Sequence, residues 1–274
     1  MDGILLVNKE KGITSRDLVN QVSKNLNIKK VGHAGTLDPL ATGLMILGVG
    51  KGTKILDQLT LDKKEYIATV KLGLLTDTLD ITGIVVDKID NISLSKQELL
   101  DVLKKFKKKY FQVVPIYSAV HVNGKRLYEY ARNNIEVELP KREVEIFEIE
   151  LLSFDLEKKE FKFRALVSKG CYIRSLIDDI GKTLGIPCTM TELVRTKSGK
   201  FTIGDISNQI IDIKDAIDFK VIKIDDELLK KVKNGNPIFI NEEDDYLTLV
   251  DKDLNTVAIY KKEKKSNYRA FKVF

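Results

Sequence analysis

The sequence is poor in the residues that build disulfide frameworks and metal sites. Its 274 residues include two cysteines, Cys171 and Cys188, and two histidines, His33 and His121. The cysteines show no CxxC spacing, and no carboxylates or cysteines stand at ligand spacing around either histidine. This scarcity argues against a disulfide scaffold, a zinc knuckle and a catalytic metal. We therefore predict two reduced thiols and no metal site.

Long apolar runs and nucleotide-binding motifs are also missing. No stretch approaches the ~18 apolar residues of a membrane helix, and the start MDGILLVNKEKG has an acid and a strand-like run where a secretory leader is basic. The segment GVGKGT at 48–53 fits neither GxxxxGK[ST] nor GxGxxG, which favours a turn. The GxSxG nucleophile motif is absent as well. We expect a cytoplasmic protein that needs no membrane and no cofactor.

Composition is that of a soluble globular protein with a sizeable core. Hydrophobic residues make up 43% and charged residues 31% of the chain, and this length predicts one to two domains. Lysine and arginine number 46 against 40 acidic residues, which gives a net charge of +6. That balance permits a phosphate-rich partner without requiring one.

Periodic segments of both kinds alternate along the chain and predict an α+β fold. Thr14 and Asp17 form a capping-box pattern, as do Ser95 and Glu98. The predicted elements are a helix over 15–25, a strand over 66–72, a helix after Ser95, a hairpin of strands 144–156 and 161–167, and a helix from Ile173 that stops at Gly185. After Asp218 short strands and turn signals predominate. We predict a main domain over 1–218 and a small β-rich domain over 219–274, with 268–274 as a closing strand.

The segment GHAGTLDPLATG at 32–43 places Asp38 in a loop with three glycines. Glycine permits turns and the close approach of a ligand, and Pro39 restricts Asp38 to an extended conformation. The alternative is a helix start, with Asp38 as N-cap, Pro39 as the first helical residue and Gly43 as the stop. Local chemistry leaves both interpretations open.

Five ordered blocks, including this one, resemble the tRNA pseudouridine synthase B family, which isomerises a uridine in the T-loop of transfer RNA. The blocks are 3–9 with 12–15, 32–43, 64–66 with 72–83, 112–119 with 123–132, and 168–179 with Leu193, Arg195 and Thr196. The resemblance implies a mixed, largely antiparallel sheet flanked by helices and a PUA-like C-terminal module. It also implies isomerisation at tRNA position 55 by base flipping, without a cofactor.

Carried onto this sequence, the resemblance makes Asp38 the nucleophile, at C6 of the base or at C1′ of the ribose. Such a carboxylate needs a fixed cation nearby to stay ionised in a pocket that excludes water, and Arg174 is the residue predicted to supply it. Tyr66 would stack on the flipped base and assist loss of the C5 proton. Strand alternation alone favours Tyr66 as an ordinary core aromatic.

The remaining predicted contacts are with the RNA. Tyr172 and Leu193 would wall the base, and His33 would contact neighbouring nucleotides, although a lone histidine in such a loop is more often structural. An insertion over about 115–142 would bind the T-arm through interleaved basic and aromatic residues; these are His121, Lys125, Arg126, Tyr128, Tyr130 and Arg132. A solvated helix is the alternative for this segment. We expect a monomer with tRNA as partner and no obligate protein partner.

Two other functions fit the same scaffold. One is a non-catalytic protein that binds or folds RNA, and the other is a guide-RNA-dependent relative inside a protein complex. Retention of Asp38, Tyr66 and Arg174 argues against the first, because a pure binder needs no nucleophile. Departures from the family pattern at Glu10, Val114, His121 and Val194 affect no proposed catalytic group.

Overall fold

A computed structural model describes residues 1–61, 63–264 and 266–274. In this part of the chain the α helices are α1 Ser15–Leu26, α2 Leu56–Thr60, α3 Lys96–Lys105, α4 Leu127–Arg132, α5 Ile173–Leu184, α6 Ile213–Ala216 and α7 Asp226–Lys233. None of the helices in the described ranges is long and apolar enough to cross a membrane.

The strands in chain order are β1 Gly3–Lys9, β2 Val31–His33, β3 Thr42–Val49, β4 Lys64–Leu72, β5 Leu74–Thr76, β6 Val85–Lys88, β7 Lys109–Val113, β8 His121–Val122, β9 Lys125–Arg126, β10 Lys141–Asp155, β11 Glu160–Val167, β12 Cys188–Ser198, β13 Phe201–Thr202, β14 Ile210–Ile211, β15 Lys220–Lys223, β16 Ile238–Phe239, β17 Tyr246–Val250, β18 Thr256–Lys264 and β19 Asn267–Val273.

One large sheet organises the main part of the molecule. Its order is β14-β1-β3-β12-β4-β11-β10-β7, with β2 beside β3 and β13 beside β12. The β3–β12 pair is parallel, and the other strand pairs of this sheet are antiparallel among the described residues. The predicted α+β class with a mixed, largely antiparallel sheet is confirmed.

The central strands of this sheet are buried on both faces. Along β1, Leu5 packs into a cluster that includes Leu18 of α1 and Leu176 of α5. Its neighbours Ile4 and Leu6 point the other way, into a second cluster. Successive residues of a strand face opposite sides, so a strand covered on both faces reads as a continuous apolar run. This explains the GILLV start of the sequence.

Local signals in the sequence were sufficient to locate the main helices. Thr14 and Asp17 cap α1, and Ser95 and Glu98 cap α3, each as a reciprocal capping box. Helix α5 ends at Gly185, whose φ of 69° is left-handed. The predicted β10–β11 hairpin and the buried alternation of β4 are also confirmed.

A separate five-stranded sheet, ordered β15-β17-β18-β19-β16, forms the C-terminal part. The predicted closing strand is β19. Ile259 of β18, together with Phe271 and Phe274, packs on the same cluster as Ile4 and Leu6 of β1. This sheet starts at Lys220, and the boundary at 218 stays a prediction.

Candidate active site

Asp38 lies in the loop that joins β2 to β3, and the loop is tied to the N-terminal segment. The Ser15 hydroxyl donates to the Leu37 carbonyl at 3.0 Å and accepts from the Leu37 N–H at 2.8 Å. The Gly12 N–H donates to the Pro39 carbonyl at 2.8 Å. The helix-start alternative for Asp38 is wrong, because residues 39–40 form a turn and Gly43 lies inside β3.

Lys9 supports this loop from below, a role that the sequence analysis missed. Its residue exposure is 0%, and its ammonium group donates to the carbonyls of Glu10 at 2.9 Å, Ile13 at 2.8 Å and Pro39 at 3.3 Å. Burial lowers the pKa of Lys9, and the nearby Asp38 charge opposes that shift. A lysine at the end of an apolar strand was the available signal, because buried lysines require several partners.

Gly43 of β3 allows the backbone of β12 to approach closely. A Cβ on Gly43 would lie 2.4 Å from the Arg195 carbonyl oxygen, and its φ is +103°, so no other residue fits this backbone without strain. Arg195 is 1% exposed, and its Nε donates to the Leu44 carbonyl at 2.7 Å. Arg195 belongs to the fifth motif block, and its Nη1 donates to the Thr36 carbonyl at 3.5 Å, so this block contacts the Asp38 loop directly.

Arg174 is the cation beside Asp38. Its Nε lies 2.8 Å from Asp38 Oδ2, and Nη2 donates to Oδ1 at 3.2 Å. The same guanidinium donates to the carbonyls of Thr78 and Tyr117, both at 2.9 Å. The Arg174 side chain is 4% exposed and that of Asp38 is 37% exposed. Arg174 is thus a buried cation that two backbone carbonyls hold in place, and it pairs with the Asp38 carboxylate, which remains exposed to the cleft.

The loop after β5 helps to position Arg174. Asp80 is buried, and its Oδ1 accepts from the Thr82 N–H and from the Thr78 hydroxyl, both at 3.0 Å. Asp77 accepts from the Ile84 N–H at 2.7 Å. Both acids cap turns, and their loop contacts Arg174 through the Thr78 carbonyl and through Asp80 Oδ2, which lies 3.9 Å from Arg174 Nη1.

A cleft of about 190 Å³ opens in front of Asp38. At ≈ 30 Å³ per molecule of liquid water, this is room for several waters or a small planar group. Tyr66, Tyr172 and Leu193 line it together with Asp38, and Tyr66 is 9% exposed. The structure therefore brings these predicted residues together, with Arg174 behind Asp38. Among the described residues, no group of three or more His, Cys, Asp or Glu is placed to hold a metal ion.

The other predicted residues lie outside this cleft. His33 is on β2 and does not line it, and burial, followed by the charges of Arg16 and Arg195, lowers its pKa. Tyr130 is buried, with its hydroxyl on the Val122 carbonyl at 2.9 Å.

The basic residues of the insertion form an exposed cluster on α4 and the β8–β9 hairpin. The Arg126 and Arg132 guanidinium carbons lie 5.9 Å and 5.2 Å from the centre of the Tyr128 ring, within cation–π range. Lys125 is exposed beside them. Leu127 and Tyr130 bury one face of the short helix α4, so the wholly solvated helix is not what forms.

Both cysteines are predicted to resist thiol reagents in the folded protein. Burial raises the pKa of Cys171 and of Cys188 to about 12, so at about pH 8 only roughly one thiol in 10⁴ is ionised. We expect labelling by a chromogenic disulfide to be on the order of 10³-fold slower than in denaturant. Native labelling at the denatured rate would contradict these pKa values.

The chain matches two known family models. Residues 23–173 match the model described as TruB family pseudouridylate synthase, N terminal domain. Residues 174–232 match the tRNA pseudouridylate synthase B C-terminal domain. The first model ends at Ile173, and the second begins at Arg174, the arginine that pairs with Asp38.

Several curated relatives match over nearly the whole chain, and each is named tRNA pseudouridine synthase B. The relative from Geobacillus thermodenitrificans is 42% identical over 96% of this chain and 95% of its own. That from Clostridium tetani is 42% identical over 86% and 85%. That from Thermosipho melanesiensis is 38% identical over 98% and 93%.

Among solved structures, a chain of "Crystal Structure of a Cbf5-Nop10-Gar1 Complex" superposes with a TM-score of 0.68 at 24% identity, covering 99% of this chain and 84% of that one. At that identity the likeness shows the fold alone. The matching family models and the relatives' names define the class: a pseudouridine synthase, which is an isomerase. The chain belongs to the TruB family of pseudouridylate synthases.

Proposed function

We propose that this protein converts uridine to pseudouridine at position 55 in the T-loop of tRNA, with Asp38 as nucleophile. The observation that carries the proposal is the Asp38–Arg174 pair at the mouth of the cleft. The names of the 38–42% identical relatives support tRNA as the substrate. A monomer acting in the cytoplasm, where tRNA is modified, belongs to the same proposal.

The reaction requires little besides a positioned carboxylate. The C1′–N1 bond of uridine breaks, the uracil turns, a C1′–C5 bond forms, C5 loses its proton and N1 gains one. No oxidant, reductant or group donor enters this balance. An Asp38 oxygen attacks C6 or C1′ and is released when the new glycosidic bond is complete. Arg174 holds both carboxylate oxygens, so the nucleophile is fixed before substrate arrives.

The cleft walls complete the proposed site. Tyr66 presents its ring from β4, Tyr172 presents its ring from the N-terminus of α5, and Leu193 presents its branched alkyl side chain from β12. A flipped uracil needs flat apolar surfaces to replace lost stacking. Tyr66 then assists removal of the C5 proton, and His33 contacts the nucleotides beside the flipped one.

The RNA body needs a wider surface than this cleft. We assign the T-arm grip to the exposed cluster of Lys125, Arg126, Tyr128 and Arg132, in which cations flank an aromatic ring. The small C-terminal sheet is proposed as a second, PUA-like RNA contact. A pure RNA-binding protein would share these surfaces and differ in chemistry alone.

The decisive test is release of tritium from C5-labelled uridine in an unmodified tRNA transcript. We expect stoichiometric release, with the product mapped to position 55, because the C5 proton leaves in every turnover. Tight binding without release would favour the non-catalytic alternative. Release that requires an added guide RNA would favour the guide-dependent one.

Removing one arginine from the insertion cluster should change the salt dependence of tRNA binding. For Arg126→Gln or Arg132→Gln, we expect the slope of log affinity against log salt to fall by roughly 0.7 to 0.9 for each lost phosphate contact. Fluorescence anisotropy at several salt concentrations measures this slope. The matched control is Lys105→Gln on α3, which lies in a lysine-rich face typical of solvated helices. An equal change in the control would contradict the assignment.

A further inference from the structure

Gln112 makes an unusual set of contacts beside the site. It lies on β7 with 1% exposure. Its Oε1 accepts from the Tyr172 N–H at 2.8 Å, and its Nε2 donates to the Tyr172 carbonyl at 3.1 Å and to the Tyr110 hydroxyl at 2.9 Å. A primary amide has two N–H donors and one carbonyl, and all of them are engaged. The side chain pairs with the Tyr172 backbone as a neighbouring strand would.

The Tyr172 backbone positions two side chains of the candidate site. It is the N-cap of α5 and has no side-chain cap bond, its ring walls the cleft, and Arg174 follows two residues later. A rotation of the peptide units at 172 would move both the ring and the guanidinium. A second hydrogen bond joins β7 to the start of α5. The Ser175 hydroxyl donates to the Val113 carbonyl at 2.9 Å.

From this geometry we infer that Gln112 is a positioning residue for the reaction, one that holds Tyr172 and Arg174 in place by clamping the Tyr172 backbone. The inference rests on the proposed function and deepens it. Gln112 touches no substrate atom in this role. It acts through Tyr172, which lines the cleft, and through Arg174, which pairs with Asp38.

The neighbours of Gln112 fix which way its side-chain amide points, with the oxygen toward the Tyr172 N–H and the nitrogen toward the Tyr172 carbonyl. The Tyr110 hydroxyl accepts from Gln112 and donates to the Asp179 carboxylate at 3.2 Å. Reversing the Gln112 amide would set its N–H groups against the Tyr172 N–H. An ionised carboxylate at this position would accept from the Tyr172 N–H and repel the Tyr172 carbonyl. A protonated carboxyl has one donor and one acceptor and restores both bonds.

Gln112→Glu therefore converts the clamp into a pH-dependent one. The titratable groups that face this position are Tyr110 on β7, Cys171 before α5 and Asp179 on α5, and Arg142 is the exposed cross-strand partner on β10. Burial and the Asp179 charge raise the pKa of the introduced carboxyl, and Arg142 acts in the opposite sense. We expect the clamp to be intact at low pH and lost as pH rises.

The experiment measures single-turnover isomerisation of the tRNA transcript from about pH 5.5 to about pH 8.5, as a ratio to the unsubstituted protein. We expect Gln112→Leu to lower the rate 10- to 100-fold at every pH, since a displacement near 1 Å costs about this much, with RNA affinity within about twofold of normal. The Gln112→Glu ratio should approach one at low pH and fall toward that of Gln112→Leu at high pH. Gln97→Leu and Gln97→Glu, on the exposed face of α3, are the matched controls.

Two results would overturn the inference. One is a full rate for a folded Gln112→Leu, and the other is a Gln112→Glu ratio that does not change with pH. If thermal melting shows Gln112→Leu unfolded, the pH profile of Gln112→Glu decides alone. An inactive unsubstituted protein would defeat the proposed function instead, so the two failures are distinguishable.

Discussion

Replacement of Asp38 by asparagine is expected to abolish pseudouridine formation while leaving the fold and RNA binding intact. Asparagine has the same shape and keeps one oxygen that accepts from Arg174, so the 3.2 Å bond can persist. It provides no anionic oxygen to attack the substrate. Loss of a nucleophile in other enzymes costs on the order of 10⁴-fold or more in rate. We expect tritium release to fall by at least that factor.

The matched control is Asp101→Asn, which removes a carboxylate from the exposed side of α3. Its rate should equal that of the unsubstituted protein. Binding of the transcript, measured by anisotropy, should change by less than about threefold in both variants, because Asp38 repels phosphate if it acts on binding at all. A folded Asp38→Asn protein that still isomerises uridine would remove Asp38 from the mechanism.

Changes at Arg174 are expected to have the second largest effect, on both rate and stability. Arg174→Lys keeps the charge but replaces a planar fork by a point charge, and one ammonium group cannot reach Asp38, Thr78 and Tyr117 in their present positions. We expect a rate loss on the order of 10²-fold or more. Single-turnover tritium release measures it.

Arg174→Met removes the donors altogether. Two carbonyls lose their partner and Asp38 loses its cation, which should lower the free energy of unfolding by on the order of 3 kcal/mol. At this chain length we expect the melting temperature to fall by roughly 5 to 10 °C.

Arg164→Lys is the control for Arg174→Lys, because Arg164 binds Glu65, Glu148 and Glu150 on the solvated face of the sheet. A lysine variant at 174 with full activity would contradict the proposed role of the fork.

Sequence could predict the elements whose determinants are local. Capping boxes at Thr14 and Ser95 and the left-handed Gly185 depend on residues within a few positions, and each was found. The Asp38–Arg174 pair joins positions 136 apart, so no spacing rule reveals it. Only resemblance to a family supplied that pairing, and its catalytic role stays a proposal.

What sequence missed was polar groups buried by tertiary structure. Lys9 and Gln112 are read locally as ordinary strand residues, and their partners come from Pro39 and Tyr172. Tyr130 was assigned to RNA because it sits among cations, yet its spacing of three from Leu127 marks the buried side of α4. In that segment helical periodicity was the better guide, and composition the poorer one.

The position of β12 has a consequence for biosynthesis. It lies between β3 and β4, two strands that are made more than 110 residues before it. The facing edges of β3 and β4 therefore stay unpaired until residue 198 leaves the ribosome. At a synthesis rate of ≈ 5–20 residues per second, these edges stay unpaired for several seconds or longer. A truncated product without β12 exposes the edges of β3 and β4, and an unpaired sheet edge is a template for aggregation. The candidate site and the protection of the nascent chain thus depend on the same late strand.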